Sequence, residues 1–154
     1  MRILIDILHP AHVHFFEHFR RELLALDHEV FVTAREKEMT TALLDSFRVP
    51  YVLLSHQKSG KVGLTIEMIT RTMRLRQVAR SFKPDVMTGI MGPSITVAGR
   101  SLGVPSVVFY DTEFAYQTNW FAYRLARSVC TPDCYQGRVR GRHITYSGYH
   151  ELAY

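Results

Sequence analysis

Three histidines, His9, His12 and His14, stand within six positions of the N-terminal segment "HPAHVHFF". They follow the apolar run "RILIDIL" and precede apolar residues at helical spacing, so they lie between a predicted strand and a predicted helix. An imidazole can take a proton from a substrate hydroxyl, or donate a hydrogen bond to a phosphate or an oxyanion. The start of a helix also favours an anion, through its free N–H groups and its dipole. We predict His12, then His14, as the candidate base and His9 as a binding residue; capping and packing are the alternatives.

Metal ligation is another role for histidines at this spacing. His14 and His18 lie four residues apart, so they share a helix face, but no carboxylate or third ligand accompanies them. Cys130 and Cys134 form a CxxxC pair that lacks two further ligands, and no export signal points to a disulfide. We therefore expect ordinary thiols, and neither a metal site nor a cofactor.

The segment "GIMGPS" (89–94) follows the fourth predicted strand. Gly92 can take a positive φ angle or let a ligand approach the backbone closely. Pro93 and Ser94 open the next helix and offer a second position for an anion. We predict all three as binding residues, with a tight turn as the alternative.

Polar residues also follow the fifth predicted strand, in "YDTEFAYQTNW" (110–120). Glu113 could orient a histidine and is our third candidate catalytic residue. Asp111, Thr118 and Asn119 could bind sugar hydroxyls, with helix capping as the alternative for the last two. Asp6, inside the first strand, is expected to be buried and to pair with one of these loops, with no role assigned to it.

Alternating strands and helices must position these residues. Such alternation implies crossover connections and a parallel sheet with helices on both faces, which is a Rossmann-like α/β fold. Ligands in these sheets bind outside the carboxyl ends of the strands. The predicted strands are 2–8, 28–35, 51–55, 85–90, 105–111 and 128–131, and the predicted helices are 14–27, 37–48, 64–82, 94–102 and 117–127. In the second helix we expect Met39, Leu43, Leu44 and Phe47 to face the core.

Composition is that of one globular domain, with 154 residues, 47% hydrophobic and 21% charged. No apolar run reaches the length of a membrane span, and Asp6 within the first strand argues against a signal peptide, so we expect a cytoplasmic protein. The net charge of +5 favours anionic partners. The helical segment "RTMRLRQVARSFK" carries much of this charge on Arg71, Arg74, Arg76, Arg80 and Lys83. A solvated face is the simplest interpretation and an anionic membrane surface the alternative; nucleic acid is disfavoured, because no aromatic residues interleave with the basic ones.

The segment from "IMGPS" to "SVCTP" resembles the second half of the N-terminal domain of GT-B glycosyltransferases, including the N-acetylglucosaminyltransferases that form lipid II. The matching features are "SLGVP", Glu113, Thr118–Asn119 and "ARSVCTP". "PAHV" corresponds to that family's Gly-Gly-His-Val loop, which places His12 at the family histidine, with Pro10 and Ala11 in place of the glycines. The segments "DILHPAHVHFF", "HEVFVTARE" and "YSGYHELAY" are more similar still to domain-of-unknown-function family 354, which is allied to the UDP-N-acetylglucosamine 2-epimerases.

These resemblances imply a fold, a reaction class and a domain organisation. They imply an acceptor-side N-terminal domain over 1–146, with 147–154 beginning a linker to a second domain that holds most nucleotide-sugar contacts. The implied reaction is attack of an acceptor hydroxyl on the anomeric carbon of a nucleotide sugar, and this half alone is expected to be inactive. A sugar-nucleotide 2-epimerase and a non-catalytic binding or assembly module at a membrane face are the alternatives. The sequence identifies neither the donor sugar, the acceptor nor the oligomeric state.

Overall fold

The computed structural model describes residues 1–111 and 116–153, with the backbone alone at 116–119 and 121. Strands and helices alternate along this chain, as the sequence predicts. The strands are β1 (Arg2–Ile7), β2 (Glu29–Glu36), β3 (Tyr51–His56), β4 (Val86–Ile90), β5 (Ser106–Phe109), β6 (Ser128–Pro132) and β7 (His143–Tyr146). The helices are α1 (Pro10–Ala25), α2 (Thr40–Ser46), α3 (Gly60–Phe82), α4 (Pro93–Leu102) and α5 (Tyr116–Leu125), and a 3₁₀ turn spans His150–Ala153.

The described strands form one sheet in the order β3-β2-β1-β4-β5-β6-β7, and every neighbouring pair is parallel. The sheet therefore has all its carboxyl ends at one edge. The order of the strands reverses at β1. Strands β2 and β3 are added on one side of β1, and the chain then crosses to the other side, where β4 pairs with β1. Such a switch point leaves a crevice between the diverging loops, which is where ligands bind in this class of sheet.

The alternation of side chains along β1 separates two hydrophobic cores. Ile3, Ile5 and Ile7 belong to the core beneath α1 and α2, whereas Leu4 belongs to the core beneath α3, α4 and α5. Because successive strand residues point to opposite faces, Asp6 lies on the same face as Leu4, towards α3. The Rossmann-like fold with helices on both faces is thus confirmed.

Several local predictions were wrong. Helix α1 begins at Pro10, because proline suits the first turn of a helix and His9 caps it. Met39 and Phe47 are 62% and 38% exposed, since α2 is only two turns long and these residues flank it. Strand β7 was missed, because a four-residue strand with exposed side chains has too little periodicity to be recognised.

Candidate functional site

A cavity of about 610 Å³ opens at the carboxyl edge of the sheet. It lies among the ends of β1, β2 and β4, the first turns of α1 and α4, and the N-terminal half of α3. The lining includes His9, His12, Phe15, Arg35, Lys37, Glu67, Arg71, Met91, Pro93, Ser94, Asp111 and His150. The cavity thus joins imidazole, carboxylate and cationic groups in one apolar-walled space.

His12 is buried in the wall of this cavity, with 9% of its surface exposed. Its Nδ1 accepts a hydrogen bond from the backbone N–H of Leu8 at 3.3 Å. Burial lowers the pKa of His12 to about 3, and the neighbouring His9 acts in the same direction. The ring is therefore neutral at pH 7, and because Nδ1 is an acceptor, the proton resides on Nε2. His12 is thus a hydrogen-bond donor in this arrangement.

His9 caps α1. Its Nδ1 accepts from the backbone N–H of Ala11 at 3.2 Å, while its backbone carbonyl accepts from the N–H of His12 at 3.0 Å. Burial lowers its pKa, and Lys37 contributes in the same direction against the opposing effect of Glu38. The capping alternative for this histidine is correct, although the ring also lines the cavity.

The turn between β4 and α4 forms another wall. The residue with positive φ there is Met91, at 50°, whereas Gly92 has a φ of −93° and does not line the cavity. A Cβ on Gly92 would lie 3.2 Å from Cβ of Ile95, so this glycine allows the turn to pack against α4. Pro93 and Ser94 do line the cavity, and the start of α4 has no side-chain cap. Its first N–H groups remain a position for an anion or an oxygen atom.

Asp111 and His150 meet at the far side of the cavity. Nδ1 of His150 lies 2.9 Å from Oδ2 of Asp111, and the imidazole is 1% exposed while the carboxylate side chain is 27% exposed. The ring packs 4.5 Å from that of Phe15, centroid to centroid, and is parallel to that of Tyr146. Within the described residues neither ring nitrogen of His150 has aligned hydrogen-bond geometry, so the contact with Asp111 is a close approach of the two groups.

A buried ionic network forms the floor beneath α3. Arg35 donates to both carboxylate oxygens of Glu67 at 2.6 and 2.8 Å, and Ser55 and the backbone N–H of Lys58 donate to the same carboxylate at 2.9 Å. Burial alone would raise the pKa of Glu67, but these hydrogen bonds outweigh it and hold the pKa below its usual value. Glu67 is therefore ionised, and its carboxylate is held in place by these hydrogen bonds.

The second part of this floor is the pair of Arg71 with Asp6. Both are nearly fully buried, and Oδ1 of Asp6 also accepts from Oγ1 of Thr33 at 2.7 Å. Arg71 additionally donates to the carbonyl of Ala34 and to Oγ of Ser55, each at 3.2 Å. Asp6 is buried as expected, but its partners lie in α3 and β2 and not in a loop at the end of a strand. The solvated-face interpretation is wrong for Arg71, because this position faces the sheet.

The structure brings together only part of the predicted site. His9, His12, Pro93, Ser94 and Asp111 line the cavity, whereas His14 and Gly92 do not. The ring of His14 packs edge-on against Phe47, 5.6 Å between centroids. Glu113 lies outside the described residues, and Thr118 and Asn119 are described by their backbone in α5 alone.

Sequence reasoning missed the cavity residues Arg35, Lys37, Arg71 and His150. Two signals could have found them. Arg35 and Lys37 lie at the end of β2 and just beyond it, at the carboxyl edge of the sheet where ligands are expected, and recognising β7 would have placed His150 there too. Arg71 shares a helical stripe with Leu75, and a charged residue on a buried stripe predicts a buried partner.

The sequence model described as "Protein of unknown function (DUF354)" matches residues 1–141. The chain belongs to the DUF354 family. A search of curated proteins finds no match.

Solved structures share the fold of this DUF354 chain. MurG of Acinetobacter baumannii matches with a TM-score of 0.75 and 17% identity, over 94% of this chain and 45% of its own. The UDP-GlcNAc 2-epimerase of Methanocaldococcus jannaschii matches with a TM-score of 0.69 and 11% identity, over 86% of this chain and 39% of its own. The spinosyn rhamnosyltransferase SpnG, solved with thymidine diphosphate, matches with a TM-score of 0.67 and 14% identity, over 97% of this chain and 50% of its own. The resemblance to a GT-B-type domain is thus confirmed for the fold, and the chain spans half or less of each of these three proteins.

The described residues also bear on metal binding and on membrane spanning. No group of three or more His, Cys, Asp or Glu side chains is placed there to hold a metal ion. None of the helices described has the length and apolarity to cross a membrane. Cys130 and Cys134 are free thiols, the first buried and the second exposed.

Proposed function

We propose that this DUF354 chain is the acceptor-side domain of a glycosyltransferase that takes its sugar from a nucleotide-sugar donor. The observation that carries the proposal is the cavity at the switch point of the sheet, where Asp111 and His12 line one space about as large as a small-molecule site. Support comes from the shared fold of MurG, SpnG and the 2-epimerases. In this proposal residues 147–154 lead towards a second domain that binds the donor.

The roles follow from the geometry of the cavity. Nε2–H of His12 donates to the acceptor oxygen and holds it in place. The partly exposed carboxylate of Asp111 takes the hydroxyl proton, and the adjacent His150 orients that carboxylate. The oxygen then bonds to the anomeric carbon, the bond from that carbon to the donor phosphate breaks, and the nucleoside diphosphate leaves with the electron pair. Lys37 and the uncapped start of α4 provide positive potential nearby.

The accessibility of the carboxylates in the cavity favours sugar transfer over 2-epimerisation. Epimerisation needs groups that remove and return a proton on the sugar ring. Of the two carboxylates lining the cavity in the described chain, the side chain of Glu67 is 4% exposed and that of Asp111 is 27% exposed, so Asp111 is the carboxylate that a substrate hydroxyl can reach.

The test uses the full-length protein with labelled uridine and thymidine diphosphate sugars, with and without an extract of the source cells as acceptor. We expect nucleoside diphosphate release and label transfer only with the extract. Asp111→Asn should lower turnover at least about a hundredfold, while the exposed Asp133→Asn control leaves it unchanged. An epimerised nucleotide sugar formed without extract would instead support the epimerase. Absence of any turnover would support a binding module.

A further inference from the structure

The outward face of α3 is apolar. Val62, Ile66, Ile69 and Met73 recur every three or four residues and are 73%, 48%, 53% and 68% exposed. With 3.6 residues per turn these positions form one line along the helix, here named the α3 outer stripe. The opposite side of the helix holds the buried residues Glu67, Arg71, Leu75 and Ala79. An apolar line facing water on an otherwise well-packed helix indicates an interaction surface.

Cations stand at both ends of the α3 outer stripe. Lys58 and Lys61 precede it and are exposed, and Arg76 and Arg80 continue its helical spacing in the last turns. The segment 57–83 contains a single carboxylate, Glu67. That carboxylate is buried and bonded to Arg35, so it presents no negative charge to a partner.

We propose that the α3 outer stripe docks onto an anionic membrane surface, with α3 lying in the plane of the interface. Apolar side chains would enter the headgroup–acyl boundary, while the flanking lysines and arginines meet anionic headgroups. A second copy of the chain fits less well. Stripe-to-stripe packing places cations of one copy against cations of the other in either orientation.

Docking of this kind also fixes where the cavity lies. Leu64 and Met68 line the cavity and are each 43% exposed on the same helix. By helical spacing both lie on the side of α3 opposite the α3 outer stripe, together with Glu67 and Arg71, so the cavity rim would lie about one helix diameter, ~10 Å, from the lipid surface. The proposal does not depend on the reaction catalysed, because it is carried by α3 alone.

Vesicle flotation tests the proposal with the 154-residue chain and two vesicle types, phosphatidylcholine alone and phosphatidylcholine containing phosphatidylglycerol. We expect binding only to the anionic vesicles in about 0.05 M salt, and release in about 0.5 M salt, where screening is strong. Ile66→Ser/Ile69→Ser should weaken partitioning at least about tenfold. Lys61→Gln/Arg80→Gln should weaken it about thirtyfold, since each cation near such a surface contributes about 1 kcal/mol.

The matched control is Leu24→Ser/Leu26→Ser, which removes apolar residues of similar exposure, 44% and 66%, from the last turn of α1 and its C-cap. This control should bind like the unaltered chain, and circular dichroism checks that every variant is folded. Failure of the chain to float with anionic vesicles at low salt would overturn the proposal, as would equal losses in the stripe and control variants. A dimer in sedimentation that Ile66→Ser breaks would overturn it too, and would assign the face to a second copy.

Discussion

The buried, neutral His12 predicts a specific pH dependence of stability. The pKa of this residue is about 3 in the folded chain, against about 6.5 for an unfolded histidine. The unfolded state therefore binds a proton first as the pH falls. The stability that neutral His12 maintains is fully present above pH 6.5 and is lost progressively as the pH drops from there towards 3.

The size of the loss follows from those two pKa values. One unit of pKa difference corresponds to about 1.4 kcal/mol, so the full loss below pH 3 is about 5 kcal/mol. At pH 5 the unfolded histidine is almost fully protonated and the folded one almost fully neutral. The loss between pH 7.5 and pH 5 is then about 2 kcal/mol.

Urea unfolding of the native chain and of His12→Gln measures this loss. Glutamine cannot become charged, so the native chain should lose about 2 kcal/mol more stability than the variant between pH 7.5 and pH 5. The comparison is made within each protein across pH, because the variant also alters the hydrogen bond from Leu8. Parallel pH dependences, or an NMR titration of His12 near pH 6.5, would refute the burial argument.

Two further predictions concern the floor of the cavity. Asp6→Asn and Arg71→Met should each lower the free energy of unfolding by about 3–5 kcal/mol, because each leaves a buried polar partner uncompensated, and the double variant should lose less than their sum. The exposed Arg2–Glu29 pair should contribute under about 1 kcal/mol in the same urea assay, so equal effects at the two pairs would contradict the role of burial. Gly89→Ala should lower stability by about 1–3 kcal/mol, because its Cβ would lie 2.9 Å from the carbonyl oxygen of Asp6. A melting temperature unchanged by this substitution would show that the strands can move apart without cost.

The fold was predictable because its signals are local. Apolar runs of strand length alternate with helical periodicity from Arg2 to Pro132, and helix-forming crossovers leave parallel pairing as the simple arrangement. Elements at the edge of the sheet were harder to predict from the sequence. Strand β7 is short and exposed, so its formation depends on the neighbouring β6 rather than on its own sequence.

The site was predictable only in part, and for a related reason. His9, Pro93 and Asp111 were found because they follow predicted strands, and the carboxyl ends of those strands share an edge. His14 was chosen for its chemistry and proximity in sequence, but helical geometry turns it towards Phe47 instead of the cavity. The role of His14 remains a prediction without geometric support.

By itself the sequence determined the class of fold, the order of its elements and the edge of the sheet where ligands bind. These follow from periodicity and chain direction, which involve neighbours within a few residues. Only the tertiary structure decided that His12 is buried and neutral, that Asp6 meets Arg71, 65 residues away, and that His150 reaches Asp111. Protonation and ion pairing depend on burial and on contacts between distant segments, and neither quantity is carried by the local pattern of residues.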